Sequence, residues 1–432
     1  MQNKILRKEL VVGIIVLFVG ISVIPSNANV LNVNISTDDE VFSIPIDSRG
    51  IIYVDDDNTE GPWDGTIENP YQYIQDGVDN SIWGDTVYVF NGTYYERVKV
   101  RESIKLFGEN KNSTIIDGGG IGSVITVTAH GVHVTGFTIQ NSGGSYEYGG
   151  IYSISNYNKY YDNNIINNKG YGICLNQKGD NFDEEESNHN SIYLNTIKNN
   201  RWEGIEILGD YTTWFVKFRY NKIYNNIVSN NGGGISVGAI GCCNNEVYNN
   251  QINNNDRFGI FVWGFFNSIT KNNIKNHEYG IDLFQGYGTL IKKNNFIDND
   301  INAYFEDSFA TRWVRNYWDD WFGLGPYAIN GVFVIPNPDP NNPSEVKYLK
   351  NYDWDPARKP NDISPNIIIL NTSIKNSYQS FNTLFLRFLQ NHPKLTIEFS
   401  WVRNKLITNT LFLRFLDSFP ILREVISRLI NP

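Results

Sequence analysis

The 432 residues carry 36 Lys plus Arg against 46 Asp plus Glu, a formal charge of -10, and 41% of them are apolar. That is chain enough for a long continuous core, because a repeat that grows along one axis escapes the size limit of a globule. An acidic balance with no basic face argues against nucleic acid as a partner.

Lys4, Arg7 and Lys8 precede the apolar run from Leu10 to Ile24, and Ser26-Asn27-Ala28 supplies small residues where a peptidase would cut. The run is short for a membrane span, so residues 1–28 read as a secretory signal peptide and the chain as exported, to the periplasm, the cell surface or beyond. Residues 29–49 read as a flexible leader. Tyr53-Val54-Asp55-Asp56-Asp57-Asn58 then predicts a strand, and Tyr71 to Asn80 a short helix capping an open end of the core. From Gly84 short strands follow one another. In them Val87 and Val89, then Val132 and Val134, alternate with polar neighbours, the period-two mark of a half-buried strand.

Between residues 163 and 303 one phrase recurs six times. Its first anchor is Asn163-Asn164-Ile165, Asn195-Thr196-Ile197, Asn225-Asn226-Ile227, Asn250-Gln251-Ile252, Asn272-Asn273-Ile274 and Asn294-Asn295-Phe296. Its second is Gly172-Ile173, Gly204-Ile205, Gly234-Ile235, Gly259-Ile260, Gly280-Ile281 and Asn302-Ala303. The leading Asn residues lie 32, 30, 25, 22 and 22 apart, whereas the step from Asn to the second anchor's apolar residue is 10 or 9. A repeat near 22 residues is too short for a pair of helices and fits one turn of a β-solenoid. The Asn residues are expected at left-handed corners, with their amides stacked from turn to turn. Because only the return path varies in length, as at 175–190 and 208–221, its excess is expected to build a wall of loops beside one face.

After Asn302 the phrase decays into Asn316-Tyr317-Trp318-Asp319-Asp320-Trp321-Phe322-Gly323, an aromatic closure, and Tyr352-Asp353-Trp354 is expected to return as a last strand. The solenoid with its caps therefore spans 50–360. In the tail, 361–432, Asn382-Thr383-Leu384-Phe385-Leu386-Arg387-Phe388-Leu389 recurs 27 residues later as Asn409 to Leu416, with a helical apolar stripe in the second copy. Residues 381–430 are thus expected to dock on protein or on a membrane surface.

Tyr53 to Asn58, Gly84-Asp85-Thr86-Val87-Tyr88-Val89, Asn91-Gly92-Thr93-Tyr94-Tyr95-Glu96, Ile115-Ile116-Asp117-Gly118-Gly119, Gly136-Phe137-Thr138-Ile139-Gln140-Asn141 and Asn316-Tyr317-Trp318-Asp319 resemble exported parallel β-helix repeat proteins. These comprise the NosD-type periplasmic copper-binding proteins and the wider carbohydrate-binding and sugar-hydrolase group, with archaeal surface members the most similar. The resemblance covers about residues 50–360 and implies an all-β, right-handed parallel β-helix, here with an N-terminal cap helix and a short helical tail. It does not imply one activity, since the fold hosts many.

Copper finds little support in the ligands: Met1 is the single methionine and His130, His133, His189, His277 and His392 are scattered. No metal site is assigned. Calcium stays open at the acidic stretch Asp180, Asp183, Glu184, Glu185 and Glu186, which also reads as a solvated loop tip. Cys174, Cys242 and Cys243 read as structural or free thiols.

Two groups of residues could carry function. Arg257, Glu278 and Asp300 fall at one position in consecutive turns, beside Asp256 and His277, and are candidates for acid–base work, although a surface ion-pair ladder explains them as well. Phe261, Trp263, Phe284 and Tyr287 lie beside the loop-bearing arc and are candidates for a sugar platform, although packing under loops explains them as well. Glu206 and Asp282 are three turns apart, about 14 Å, too far for a glycosidase pair. The expected protein is an exported surface β-helix that binds carbohydrate or another surface polymer. A polysaccharide lyase or glycoside hydrolase, and a structural or adhesive surface protein, are the alternatives.

Overall fold

The computed structural model describes residues 50–145, 147–176, 187–208, 218–335 and 344–363, without the side chains of 239–241. The signal peptide, the leader, the acidic stretch 180–186, most of two wall loops and the tail from 364 onward lie outside the described residues.

The chain winds into a right-handed parallel β-helix with three faces. One turn shows the plan: Glu246–Tyr248 lies on the first face, Gln251–Asn253 on the second and Phe258–Phe265 on the third. Each strand pairs in parallel with its equivalent one turn on, so that Val247 meets Ile269, Ile252 meets Ile274 and Ile260 meets Ile281. The inward residue of each strand is apolar and fully buried, as in the column Ile165, Ile197, Val228, Ile252, Ile274 and Phe296 of the second face. Burying one such side chain contributes about 1.5–3 kcal/mol, and the column repeats it every turn.

Three asparagine ladders occupy the corners, where one had been expected. Asn158, Asn190, Asn221, Asn245 and Asn267 precede the first face; Asn163, Asn195, Asn226, Asn250, Asn272, Asn294 and Asn316 precede the second; Asn168, Asn200, Asn231 and Asn255 precede the third. In each, the backbone N–H of one Asn donates to the side-chain oxygen of the next. Two details correct the sequence reading. In the third repeat the ladder residue is Asn226, not Asn225. The left-handed conformation belongs to the residue before each rung: Asp162, Leu194, Asn225, Asn249, Lys271 and Lys293 have φ of 52° to 59°. The Asn itself turns its amide inward, where it satisfies backbone groups that a corner would otherwise bury unpaired.

His277 takes the place of an Asn in the third ladder. Its Nδ1 lies 2.9 Å from Oδ1 of Asn299, and its Nε2 lies 3.2 Å from Nδ2 of Asn255. These neighbours require a neutral ring that donates from Nδ1 and accepts at Nε2. Burial lowers its pKa to about 4, with the Asn299 bond opposing. The unfolded chain gains a proton below about pH 6.5 that the folded chain refuses until about pH 4, so stability is lost as pH falls through that window. The loss approaches about 3 kcal/mol. His277→Asn restores the ladder residue, so the variant is expected to lose less stability than the wild type between pH 6.5 and 4 in urea titrations; equal slopes would refute this role.

The expected cap helix is present as Ile74–Asp79, its Ile74, Gly77 and Val78 buried. The carboxylate of Glu96 accepts from the N–H groups of Ile74 and Gln75 at 2.8 and 3.0 Å and so satisfies two of the first-turn donors. At the other end Trp318 stacks between Phe296 and Tyr327 with centroids 4.4 and 4.1 Å apart. The expected strand at Tyr352 is the end of Glu345–Asp353, which pairs antiparallel with Tyr327–Ile335, a strand the sequence did not reveal. Asp353 terminates the second ladder, its Oδ2 accepting from N and Nδ2 of Asn316 at 2.9 and 3.0 Å. Beyond it the chain doubles back over the second face. There Asn295 donates to the carbonyl of Asn361, while Gln251 and Asn273 both donate to that of Ile363.

Candidate functional site

The third face widens where the strands Gly233–Cys243, Phe258–Phe265 and Tyr279–Tyr287 run on past the usual five residues. In those turns the expected wall is built by the strands themselves, with Cys243 paired to Phe265 and Phe265 to Tyr287 beyond a shift in register.

Parallel pairing fixes which outward side chains are neighbours. Phe258 stands beside Tyr279; Phe261 beside Asp282 and Asp282 beside Tyr304; Trp263 beside Phe284 and Phe284 beside Glu306. Asp282 therefore stands between Phe261 and Tyr304 in the neighbouring strands, with Phe284 two residues along its own strand. The Trp263 and Phe284 rings meet edge-on, centroids 5.2 Å apart at 80°, and Phe266 meets Tyr287 at 5.7 Å and 87°. An edge-on pair covers one face of one ring and leaves the remaining faces open, and Phe266 and Tyr287 are 56% and 46% exposed. The four aromatic candidates thus lie on one outward face in adjacent strands, Tyr287 exposed and Phe261, Trp263 and Phe284 partly so, and together they form an aromatic plate. Burial pushes the carboxyl of Asp282 up to about 6, and the negative charge of Glu306 adds to the effect. No described Lys, Arg or His forms an ion pair with Asp282.

Nearer the N-terminus the same face is closed. Glu203 is buried and paired with the guanidinium of Arg257, whose Nε also donates to the carbonyl of Gly232 at 3.3 Å. Glu206 is buried and accepts from the Ser236 hydroxyl at 3.0 Å. Burial raises the pKa of both carboxyls, most of all that of Glu206, to which the charge of Glu203 adds, while Arg257 pulls the other way. Cys174, one turn before Glu206 in the same outward row, is a free thiol at 0% exposure, held protonated by burial.

The backbones of Arg257, Glu278 and Asp300 lie at the expected corner, where the carbonyl of Arg257 accepts from Tyr279 and that of Glu278 from Ile301. Their side chains do not converge: Arg257 reaches back to Glu203, Glu278 and Asp300 are exposed, and His277 is committed to its ladder. Tyr304 lies in the outward row of Glu206 and Asp282, and the neighbours of that row that the sequence does not single out are Tyr279 and Glu306. A hollow of 550 Å³ beside the cap helix is lined by Arg97, Lys99, Arg101, Asp79, Glu96 and Asp117. It lacks an aromatic plate, and its Glu96 is already engaged by the helix.

A second aromatic row runs along the first face. Tyr161, Tyr193, Tyr224 and Tyr248 stack at successive centroid distances of 4.9 Å with planes within 5° of parallel. Their faces cover one another, so this row stiffens the coil and offers a sugar only edges.

The fold and its plate define the class: a right-handed parallel β-helix protein with an outward aromatic surface on one face. Within that class the chain belongs to the NosD family, described as periplasmic copper-binding proteins, whose model matches residues 78–327. No curated protein matches the sequence. Among solved structures it is similar to the A-module of mannuronan C-5 epimerase AlgE4 from Azotobacter vinelandii, with 14% identity over 64% of this chain and 88% of that one and a TM-score of 0.44. It is also similar to the GH136 lacto-N-biosidase from Eubacterium ramulus, with 14% identity over 62% of this chain, 60% of that one and a TM-score of 0.43. A third is an alginate lyase from Paenibacillus sp. str. FPU-7, at 14% identity over 61% of this chain and 95% of that one, TM-score 0.33. These likenesses concern the winding of the chain, not its chemistry.

The family description names copper, and the donors among the described residues do not fit it. Nδ1 of His130 accepts from the N–H of Asn156, His189 is sandwiched between Tyr157 and Tyr220, and His277 has both nitrogens in the ladder. Burial and the charges of Lys159 and Lys105 depress the pKa of His133 to about 4, a setting that opposes an added cation. Cys174 and Cys242 are buried, and among the described residues no three His, Cys, Asp or Glu side chains gather as a metal would require.

Proposed function

We propose that the protein is an exported β-helix protein that binds carbohydrate on the widened third face. The observation that carries this reading is Asp282 set between Phe261 and Tyr304, with Phe284 two residues along its strand. A pyranose presents an apolar face of C–H groups and a rim of hydroxyls. The plate offers ring surface for the first and a carboxyl for the second. Export is supported by the basic and apolar N-terminus and by the periplasmic description of the family.

Trp263→Ala is expected to weaken retention on an immobilised neutral glycan about tenfold, equivalent to about 1.4 kcal/mol, with the melting curve nearly unchanged. Tyr193→Ala, in the self-covered row of the first face, is expected to lower stability and leave retention intact. Equal effects of the two substitutions on retention would sink the assignment to the third face.

A further inference from the structure

We infer that Asp282 and Glu306 form the acid and base of a glycoside hydrolase site on this plate, acting on a neutral glycan. The inference rests on the binding reading above and adds an activity to it.

Pairing places Asp282 opposite Tyr304 and Phe284 opposite Glu306, so the two carboxylates lie on a diagonal, one strand across and two residues along. With strands about 4.8 Å apart and about 3.3 Å per residue, their Cα atoms stand about 8 Å from each other. An inverting pair holds its carboxyl groups about 6.5–9.5 Å apart, with room for a water molecule between sugar and base; two side chains that leave one face of neighbouring strands from Cα atoms about 8 Å apart can hold that separation. The pair also replaces Glu206 and Asp282, which are too far apart.

The surroundings divide the roles. Asp282 sits among rings and faces the charge of Glu306, both of which favour its protonated form. The titratable groups that face it are Glu306 and Tyr304, both on the next strand, and the preceding strand presents the apolar Phe261. In the step, Asp282 gives its proton to the glycosidic oxygen as the bond from that oxygen to the anomeric carbon breaks. Glu306 takes a proton from the water whose oxygen bonds to the same carbon from the opposite side. One water is consumed, and the anomeric configuration inverts. Arg257, at the start of the preceding strand, is paired with Glu203, and Lys350 stands two strands beyond Tyr304 in the row of Asp282. Among the described residues no cation forms an ion pair with Asp282 or Glu306, so uronic acids would meet two unpaired carboxylates, which selects neutral sugars.

The test incubates the purified full chain with cellohexaose, xylohexaose and the hexamer of N-acetylglucosamine, following retention and new reducing ends together. The expected result is cleavage of at least one of them with inverted product. The rate should fall as pH rises above about 6. Glu306→Gln should lower turnover at least about 100-fold while retention is kept, and Asp282→Asn should lower turnover by at least as much and weaken retention as well, because its carboxyl also meets the sugar hydroxyls. Both side chains point off the coil, so both variants are expected to melt with the wild type. Retention without new ends overturns the hydrolase inference and leaves the binding reading standing. Turnover that survives both substitutions also overturns it. Neither retention nor turnover on any of the three overturns both.

Discussion

Asn250→Ala is expected to be among the most damaging single substitutions in the coil, lowering stability by about 3–5 kcal/mol. Its amide donates to the carbonyls of Ile223 and Tyr248 and to Oδ1 of Asn272, at 2.9, 3.1 and 3.0 Å. Its oxygen accepts from both N and Nδ2 of Asn226, at 3.0 and 3.1 Å. Alanine would strand these groups at a corner where Asn250 is 0% exposed, out of reach of water. Asn250→Asp keeps the acceptor and loses the donor while burying a charge, so it is expected to be no milder. Equilibrium unfolding in urea measures both; a loss under 1 kcal/mol for either would show that water or a shifted neighbour replaces the amide.

Gly234→Ala is the second. A methyl group there would lie 2.1 Å from the carbonyl oxygen of Gly259 and 2.9 Å from Cγ2 of Ile252. The first contact is with backbone of the next turn, which cannot swing aside as a side chain does. Relief requires the two strands to part, and the expected cost is about 3 kcal/mol or more. Gly144→Ala is the comparison, because its added methyl group would meet Lys169 at ordinary contact distances of 3.5 and 3.6 Å. A melting temperature for Gly234→Ala indistinguishable from that of Gly144→Ala would mean that the corner is looser than the geometry shows.

These two positions explain why the architecture was readable. Both anchors of the repeated phrase are residues that no other type replaces cheaply, so they persist at a constant step while everything between them varies. The phrase failed where its own letters were ambiguous: Asn225 and Asn226 are adjacent, and only the hydrogen bond to Asn250 decides which one turns inward. It failed again at His277, whose ring imitates an amide by offering one donor and one acceptor, an equivalence visible only in its bonds to Asn255 and Asn299. The strand Tyr327–Ile335 pairs antiparallel and so lacks the phrase altogether.

For the site, Phe261, Trp263, Phe284 and Tyr287 were legible as a group because they cluster in two successive turns. Asp282 is legible too, but along its own row the other carboxylate is Glu206, three turns away. The diagonal neighbour of Asp282, Glu306, belongs to a different row, and a row-by-row comparison does not reach it. Arg257 stood out in the sequence for its step to Glu278, whereas in space its partner is Glu203, two turns earlier.

The uniform ladders also make the coil a ruler with fixed divisions. From Asn250 onward each turn is a self-contained cassette of 22 residues, Asn250 to Asn272 to Asn294 to Asn316, with the same bonds at both boundaries. Removing or duplicating one cassette would join like to like and change the distance between the helical cap and the terminal hairpin by about 4.8 Å, with no intermediate lengths allowed. Reach along the axis can therefore vary between related chains in whole turns only, and a cassette taken from the plate would shorten the bound stretch of polymer by the same increment.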